Sequence, residues 1–341
     1  MNTNYTKLTP KDLSEFRRKI TPKAYQRSTG TVLFWCTLDL ALYLLFIYGV
    51  FSASSIIGKL IFGFLAGVSA SSMFVLAHDA AHGSLFKNKW TAEIMGTLYM
   101  LPALNSYRLW CFGHNRIHHG FTSYTPIDWI WRPLTKDEYQ QLSPMKKFLY
   151  RSERSFWGCG IHYIIKVWWQ KMAFFMPDES PKKKRAIRIG KGIVLGFALI
   201  LGFFAYANSG LWGVFCGLIL PFIVFNYVIS LVIYLHHTHP EIPFFDERAE
   251  WSHTVGAIFC TTVIRTHWLI DNFLIHHILT HTPHHVDIRI PFYRLNAAYE
   301  SVKPYYGDFI HEYHLRWSEL FHIFKSCKLY DYKNHSWQRF G

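Results

Sequence analysis

Four apolar runs constrain this chain more than any other feature: residues 32–51, 56–77, 192–207 (extended at either end) and 211–235. Each is roughly the 17 to 25 residues that a helix needs to cross the hydrocarbon of a bilayer. Lipid offers no partner to a peptide N–H or C=O, so a spanning run must satisfy its own backbone as a helix. An all-α integral membrane protein with four transmembrane helices is the fold class expected. Its composition agrees, with 50% apolar and 18% aromatic residues.

The runs group as two hairpins, the first joined by "SASS" and the second by "NSG". Both turns are short and uncharged, whereas Arg17, Arg18, Lys19, Lys182, Lys183, Lys184 and Arg185 flank the opposite ends. Positive charge stays on the cytosolic side, so both termini and the long middle segment are expected there. The division that follows is a cytosolic segment 1–31, without a cleaved signal peptide, and a membrane domain 32–341 whose parts 78–191 and 236–341 face the cytosol. Two charged residues fall inside the runs. Lys59 is expected to snorkel to the interface, and Asp39 is either functional or held by hydrogen bonds. The apolar run 94–104 contains Pro102 and is expected to be re-entrant or interfacial. Residues 161–176 mix Trp, Phe and Lys like a helix lying among headgroups.

The net charge of +14 carries no nucleic-acid-binding pattern, so anionic lipid and an acidic protein partner are expected in place of nucleic acid. The six cysteines are scattered and read as reduced thiols. No nucleophile elbow, P-loop or H-E-x-x-H occurs, and "GCG" at 158–160 lacks the rest of a dinucleotide fingerprint.

Thirteen of the twenty histidines lie in four clusters: His78 and His82; His114, His118 and His119; His236, His237 and His239; His276, His277, His281, His284 and His285. Helical residues four apart share a face, so His78 with His82, and His114 with His118, can each offer two imidazoles to one site. The full set exceeds what one tetrahedral ion takes, and two metal ions are the economical reading. Imidazole suits zinc, copper, iron and nickel alike. Given the membrane topology, every cluster converges on the cytosolic face. Pro283 is expected at a first helical position with Thr282 as its cap, so that His281 ends one helical segment while His284 and His285 open another.

"HDAAH", "HNRIHH" and "HTPHH" resemble the three histidine boxes of the membrane fatty-acid desaturases. "YLHHTHPEIPFFDERAEW", "LTKDEYQQLSP", "HTPHHVDIRIPFYRLNAAYESV" and "KLYD" are similar to the bacterial and cyanobacterial Δ12 branch. The resemblance runs from about residue 30 to the carboxyl end. It implies a di-iron centre under a cytosolic helical cap, O2 as co-substrate and a cis double bond introduced into an acyl chain, oleoyl to linoleoyl in a membrane lipid. A related hydroxylase, acetylenase, epoxygenase or carotenoid oxygenase is the alternative of like chemistry, and a histidine-rich metal transporter or sensor the alternative outside enzymes. The chain has no cytochrome b5 haem motif, which points to a separate electron donor, ferredoxin ahead of cytochrome b5.

The resemblance implies His78, His82, His114, His118, His119, His237, His281, His284 and His285 as iron ligands. Helix geometry favours His277 as a further ligand, four residues before His281. The relatives instead place a histidine at the His276 position, and His276 is preferred, with a π-bulge reconciling the spacing. His236, His239 and His277 are further candidates to bind or support the metal. Asp79, Asp128, Asp271 and Asp287 are candidates to orient the rings.

Overall fold

The computed structural model describes residues 4–341. Helix α1, Pro10–Lys19, carries a capping box between Thr9 and Asp12 and buries Phe16 against Tyr306. Helix α2, Thr29–Ser52, begins where the Ser28 hydroxyl accepts the Thr31 N–H, and helix α3, Ile56–His82, where Ser55 does the same for Gly58. Only a short turn separates them, so they pair as an antiparallel hairpin. Lys59 does not snorkel. It is buried and donates to the Val50 carbonyl at 2.8 Å, one of the last carbonyls of α2 and without an intrahelical partner. The end of α3 is set by Gly83, whose φ of +67 is a left-handed cap that glycine adopts without strain.

Among the described residues, three helices are long and apolar enough to cross a membrane: α2, α3 and the 57-residue Pro181–His237. The third contains both of the later apolar runs. It breaks at Ser209 and Gly210, whose backbones are non-helical, and the chain turns back there. A Cβ on Gly213 would stand 2.0 Å from the Ala205 carbonyl oxygen, and one on Gly217 3.6 Å from the Ala205 methyl. The arms before and after the break therefore lie side by side. Large apolar side chains such as Leu33, Leu44, Ile57, Phe64, Leu199 and Phe203 face outward along these helices, as a lipid-facing surface requires.

Helix α3 is the central element. Gly63 and Gly67 let it approach the returning arm so closely that a Cβ at either would lie 2.3 Å from the Cys216 carbonyl oxygen or 2.6 Å from Val224 Cβ. Helix α4, Lys89–Met100, covers the expected interfacial run and ends in a turn with Leu104 at φ +51, whose carbonyl accepts the Trp168 indole N–H at 2.8 Å. Residues 163–173 form a π-helix that buries Val167 and Met172 and exposes Trp169.

The chain is not wholly α-helical. Strand β1, Thr262–Arg265, pairs in parallel with β2, His311–His314, and Leu329–Asp331 pairs antiparallel with Ser336–Gln338. These small sheets position the site. The Thr262 hydroxyl donates to the Leu235 carbonyl at the end of the helix Leu220–His237, and Val263 forms an isolated bridge with Thr280, just before the third box.

Replacing Gly67 by Leu should force α3 away from the returning arm, an overpacking cost of about 1–3 kcal/mol. Thermal unfolding in detergent should show the lower midpoint, accompanied by a reduced metal content because both helices carry histidines of the site.

Candidate metal centre

His78 and His82 stand one turn apart at the end of α3, ring centroids 4.7 Å apart, as the helical spacing requires. The second box behaves differently. Residues 112–118 wind as a π-helix, in which positions five apart, not four, come round to the same face. His114 therefore pairs with His119, their Nε2 atoms 3.0 Å apart. His118 turns to the other side and meets His237, Nε2 to Nε2 at 3.1 Å. The shared site expected for His114 and His118 gives way to two groups, because each hydrogen bond of the π-helix spans one residue more than in the regular helix.

The third box is the helix His281–Val286, preceded by Thr280. Pro283 lies at its third position and not its first, and Thr282 is not its cap. The proline costs nothing there, since the first four N–H groups of a helix have no intrahelical acceptor. The Thr282 hydroxyl instead accepts from that of Thr261 at 2.9 Å. His281 opens the helix and does not end a preceding one. With His285, four residues on, it enters the second group while His284 enters the first.

Two sets result: His78, His82, His114, His119 and His284; and His118, His237, His281 and His285. Within each, the ligand atoms all lie within 4.8 Å of one another. His119 and His285 stack at 4.1 Å across the boundary, so the two sets abut.

The outer ring nitrogens explain the orientation. His118 Nδ1 lies 3.1 Å from the Asp128 carboxylate and His237 Nδ1 3.1 Å from the Cys260 carbonyl, so both protons belong on Nδ1, a tautomer assigned from these bonds. With both rings in the neutral form that binds metal, their Nε2 lone pairs face each other at 3.1 Å. His281 Nε2 adds a third nitrogen 3.2 Å from that of His237. Nitrogens about 2.1 Å from one ion and at right angles to each other lie about 3 Å apart, so a cation fits where a hydrogen bond does not. His285 follows the same plan: the Thr122 hydroxyl spends its proton on the His118 carbonyl at 2.8 Å and so accepts from His285 Nδ1 at 3.1 Å.

In the first set, Asp79 holds His78 Nδ1 at 3.0 Å while its other oxygen accepts the Phe292 N–H. His78 Nε2, His285 Nε2 and both ring nitrogens of His82 and His284 are buried without a partner. Such orphaned atoms are rare unless an ion or water satisfies them. Burial above all, with neighbouring imidazoles, holds His114, His119, His281, His284 and His285 well below their ordinary pKa. They are therefore neutral, the form that binds metal.

Several expected residues lie outside the two sets. His276 Nε2 is bound to Asp39 at 2.7 Å, both buried, and His277 Nδ1 to Asp271 at 2.6 Å. A π-turn does precede them, but it ends at Leu274, and His276 and His277 then reverse the chain with φ of +44 and +58. The expected reconciliation of His276 with the metal site therefore does not form. Asp271 thus touches no histidine of either set, nor does Asp287, which accepts from Tyr25 and Arg289. His236 stacks on His281 at 3.6 Å with both nitrogens unpartnered. His239 joins Glu241 and His311 in a separate, partly exposed group.

Two contributors escaped the sequence reading. Thr122 follows His118 by four residues, a spacing that could have revealed it. The Cys260 carbonyl carries no sequence signal, because any residue supplies one. Beside the histidines lies a narrow apolar cavity lined by Phe74, Val75, Trp110, Val167, Ile229 and Ile233, with His78, His118 and His236 at its edge.

The family model described as fatty acid desaturase matches residues 54–317. Among relatives, an sn-1 oleoyl-lipid 12-desaturase of a Picosynechococcus species is 29% identical over 274 residues, 79% of this chain and 76% of its own. An sn-1 acyl-lipid omega-3 desaturase (ferredoxin) of a Nostoc species is 30% identical over 312 residues, 90% and 84% of the two chains. The chloroplastic omega-6 fatty acid desaturase of Glycine max is 30% identical over 272 residues, 78% of this chain and 61% of the plant protein.

Replacing Asp128 by Asn should weaken metal binding at the His118 set by about 10- to 100-fold, whereas Asp271→Asn should leave it unchanged. Metal titration of the two purified variants measures both. Acid should act on the metal-free protein in one direction. An unfolded chain takes up protons near the ordinary imidazole pKa of about 6.5, and the folded site resists them, so stability rises with pH. Thermal midpoints should be level above about pH 7.5 and fall as pH drops below about 6.5, towards the depressed folded values.

Proposed function

Because the chain belongs to the fatty acid desaturase family, a family of oxidoreductases, we propose that it introduces a cis double bond into a membrane-lipid acyl chain at a di-iron centre. The single observation that carries the metal reading is the pair of Nε2 atoms of His118 and His237 facing each other at 3.1 Å while both Nδ1 atoms are held by outer acceptors. The two histidine sets support two ions, held by His78, His82, His114, His119 and His284 and by His118, His237, His281 and His285. Iron, when bound, supplies the oxygen-activating redox chemistry that protein side chains lack and that an unactivated methylene demands.

The overall reaction balances as one saturated –CH2–CH2– unit, O2, two electrons and two protons giving –CH=CH– and two waters. The chain's own residues supply the setting. The narrow cavity walled by Phe74, Val75, Ile229 and Ile233 takes an acyl chain, excludes water and brings its methylenes to the histidine edge. Asp79, Asp128, Thr122 and the Cys260 carbonyl hold their rings on one tautomer, so that the inward nitrogens carry lone pairs. His236, at the cavity edge and stacked on His281, limits how the substrate approaches that ring.

The preferred substrate is an oleoyl group on a membrane lipid, with a double bond introduced at the Δ12 position. Relatives named as oleoyl-lipid 12-desaturases support this choice. The electron donor is a ferredoxin, supported by the Nostoc relative's name. The membrane domain is 32–341 and crosses four times, once each by α2 and α3 and once by each arm either side of Ser209–Gly210. The basic segments 17–19 and 182–185 support cytosolic termini and a cytosolic metal site.

Expression in a host carrying isotope-labelled oleoyl lipids tests the reading, with lipids analysed as derivatised fatty esters by gas chromatography and mass spectrometry. The product should weigh two hydrogens less, with its new double bond at the Δ12 position, and the purified protein should hold two irons. Replacing His118 by Ala should abolish the product and lower iron content. A gain of oxygen would assign a hydroxylase or epoxygenase instead, and a protein without iron or product would overturn the proposal.

A further inference from the structure

A second built surface stands against the backbone that follows two of the histidine boxes. Arg17, Arg18, Arg27, Lys87 and Arg289 line one open groove with Tyr25 and Gln26, and all five cations are exposed. They come from four separate parts of the chain, so the groove is made by tertiary folding and not by a local run of charge. No acidic residue lines it. Asp287, buried beneath, is engaged by Arg289 and by the Tyr25 hydroxyl at 2.9 Å and offsets part of one cation only.

Two of the arginines reach inward. Arg17 Nε donates to the Val286 carbonyl at 2.8 Å, and Arg27 Nη2 to the Gly83 carbonyl at 2.8 Å. Val286 directly follows His285, and Gly83 directly follows His82. His82 and His285 belong to different metal sets. A molecule resting on the groove is thus one hydrogen bond and one residue from a histidine of each set.

We propose that this groove is the docking surface for a small acidic protein that carries one electron, the ferredoxin of the preceding section, on whose reading the inference rests. Each encounter passes one electron from the reduced carrier to this protein and releases the oxidised carrier. Two encounters supply the two electrons that, with two protons from water, reduce O2 to two waters while the substrate gives up two hydrogens. Charge complementarity steers the carrier, and the groove orients it over two hydrogen-bonded routes to the histidines. The alternative occupant, an anionic lipid headgroup, is disfavoured by size and lining. The groove is open and about 880 Å³ in volume, far more room than a single phosphate fills. Tyr25 is the one aromatic among its lining residues, and no aliphatic side chain joins it, unlike the membrane-facing helices.

The test uses the full-length, iron-loaded protein with photoreduced ferredoxin, following ferredoxin reoxidation and lipid product together. Arg18→Glu with Lys87→Glu reverses two groove charges whose side chains make no hydrogen bond among the described residues. The KM for ferredoxin should rise at least tenfold at low salt, the difference shrinking as salt screens it, with kcat at saturation and iron content unchanged. Arg18→Gln with Lys87→Gln, a milder change, should raise KM less and flatten the salt dependence. An unchanged KM beside an active wild type overturns the docking site and leaves the desaturase reading standing. An unchanged KM combined with lost adsorption to vesicles containing phosphatidylglycerol assigns the groove to lipid and likewise overturns it. Lost iron in both double variants overturns it by making these residues structural. A wild type that neither reoxidises ferredoxin nor forms product overturns the preceding reading itself.

Discussion

Neutral imidazole nitrogens, buried with their lone pairs pointing inward, are the constraint on which the rest of this structure depends. Nine histidines meet in two abutting sets, and several of their nitrogens have no protein partner. Leaving a buried polar atom unpaired costs about 1–3 kcal/mol each, a cost that a metal ion held among these nitrogens would remove. Everything around it keeps the rings dry, neutral and aimed. Asp79, Asp128, Thr122 and the Cys260 carbonyl accept hydrogen bonds from the outer ring nitrogens, so that lone pairs face the inner side.

Meeting that constraint required local departures from regular secondary structure. The π-turn over Phe112–His118 separates His118 from His114 and sends them to different sets. Thr280 is tied to β1 by the isolated bridge to Val263, which starts the third-box helix at a fixed place. His276 and His277, in left-handed backbone conformations, turn the chain into that bridge and are tied down by Asp39 and Asp271. Asp39 thereby accounts for a carboxylate inside an apolar helix. It anchors the loop that delivers the third box, and its cost of burial is offset by a close histidine partner.

The long helices supply rigidity at the lipid-facing end of the molecule. Gly63 and Gly67 bring α3 against the returning arm, so the helix bearing the first box and the helix bearing His237 are packed backbone to backbone. Their outward faces are apolar, and between them and the histidines runs the narrow cavity. The basic groove occupies a different surface, against the residues that follow His82 and His285. The cavity and the groove thus reach the histidines from different sides.

Much of this was legible in the order of residues. Apolar runs of spanning length announce long helices, because backbone in lipid has no other means of satisfying itself. Histidines in boxes announce metal, because so many imidazoles exceed the needs of one ion. His78 with His82 obeys the spacing of a regular helix and is paired from sequence alone; His281 with His285 has the same spacing, but Pro283 between them points to a divided box, which the single helix His281–Val286 overturns. The division of the second box could not be foreseen, since a π-turn and an α-turn read alike in sequence and differ only in which carbonyl each N–H finds. Nor could spacing place His237, and not His236 or His239, beside His118, tie His276 to Asp39, or give the Cys260 carbonyl its part. Those depend on which segments distant in sequence are packed together, and in a dry site the partner within 3 Å decides what a histidine does.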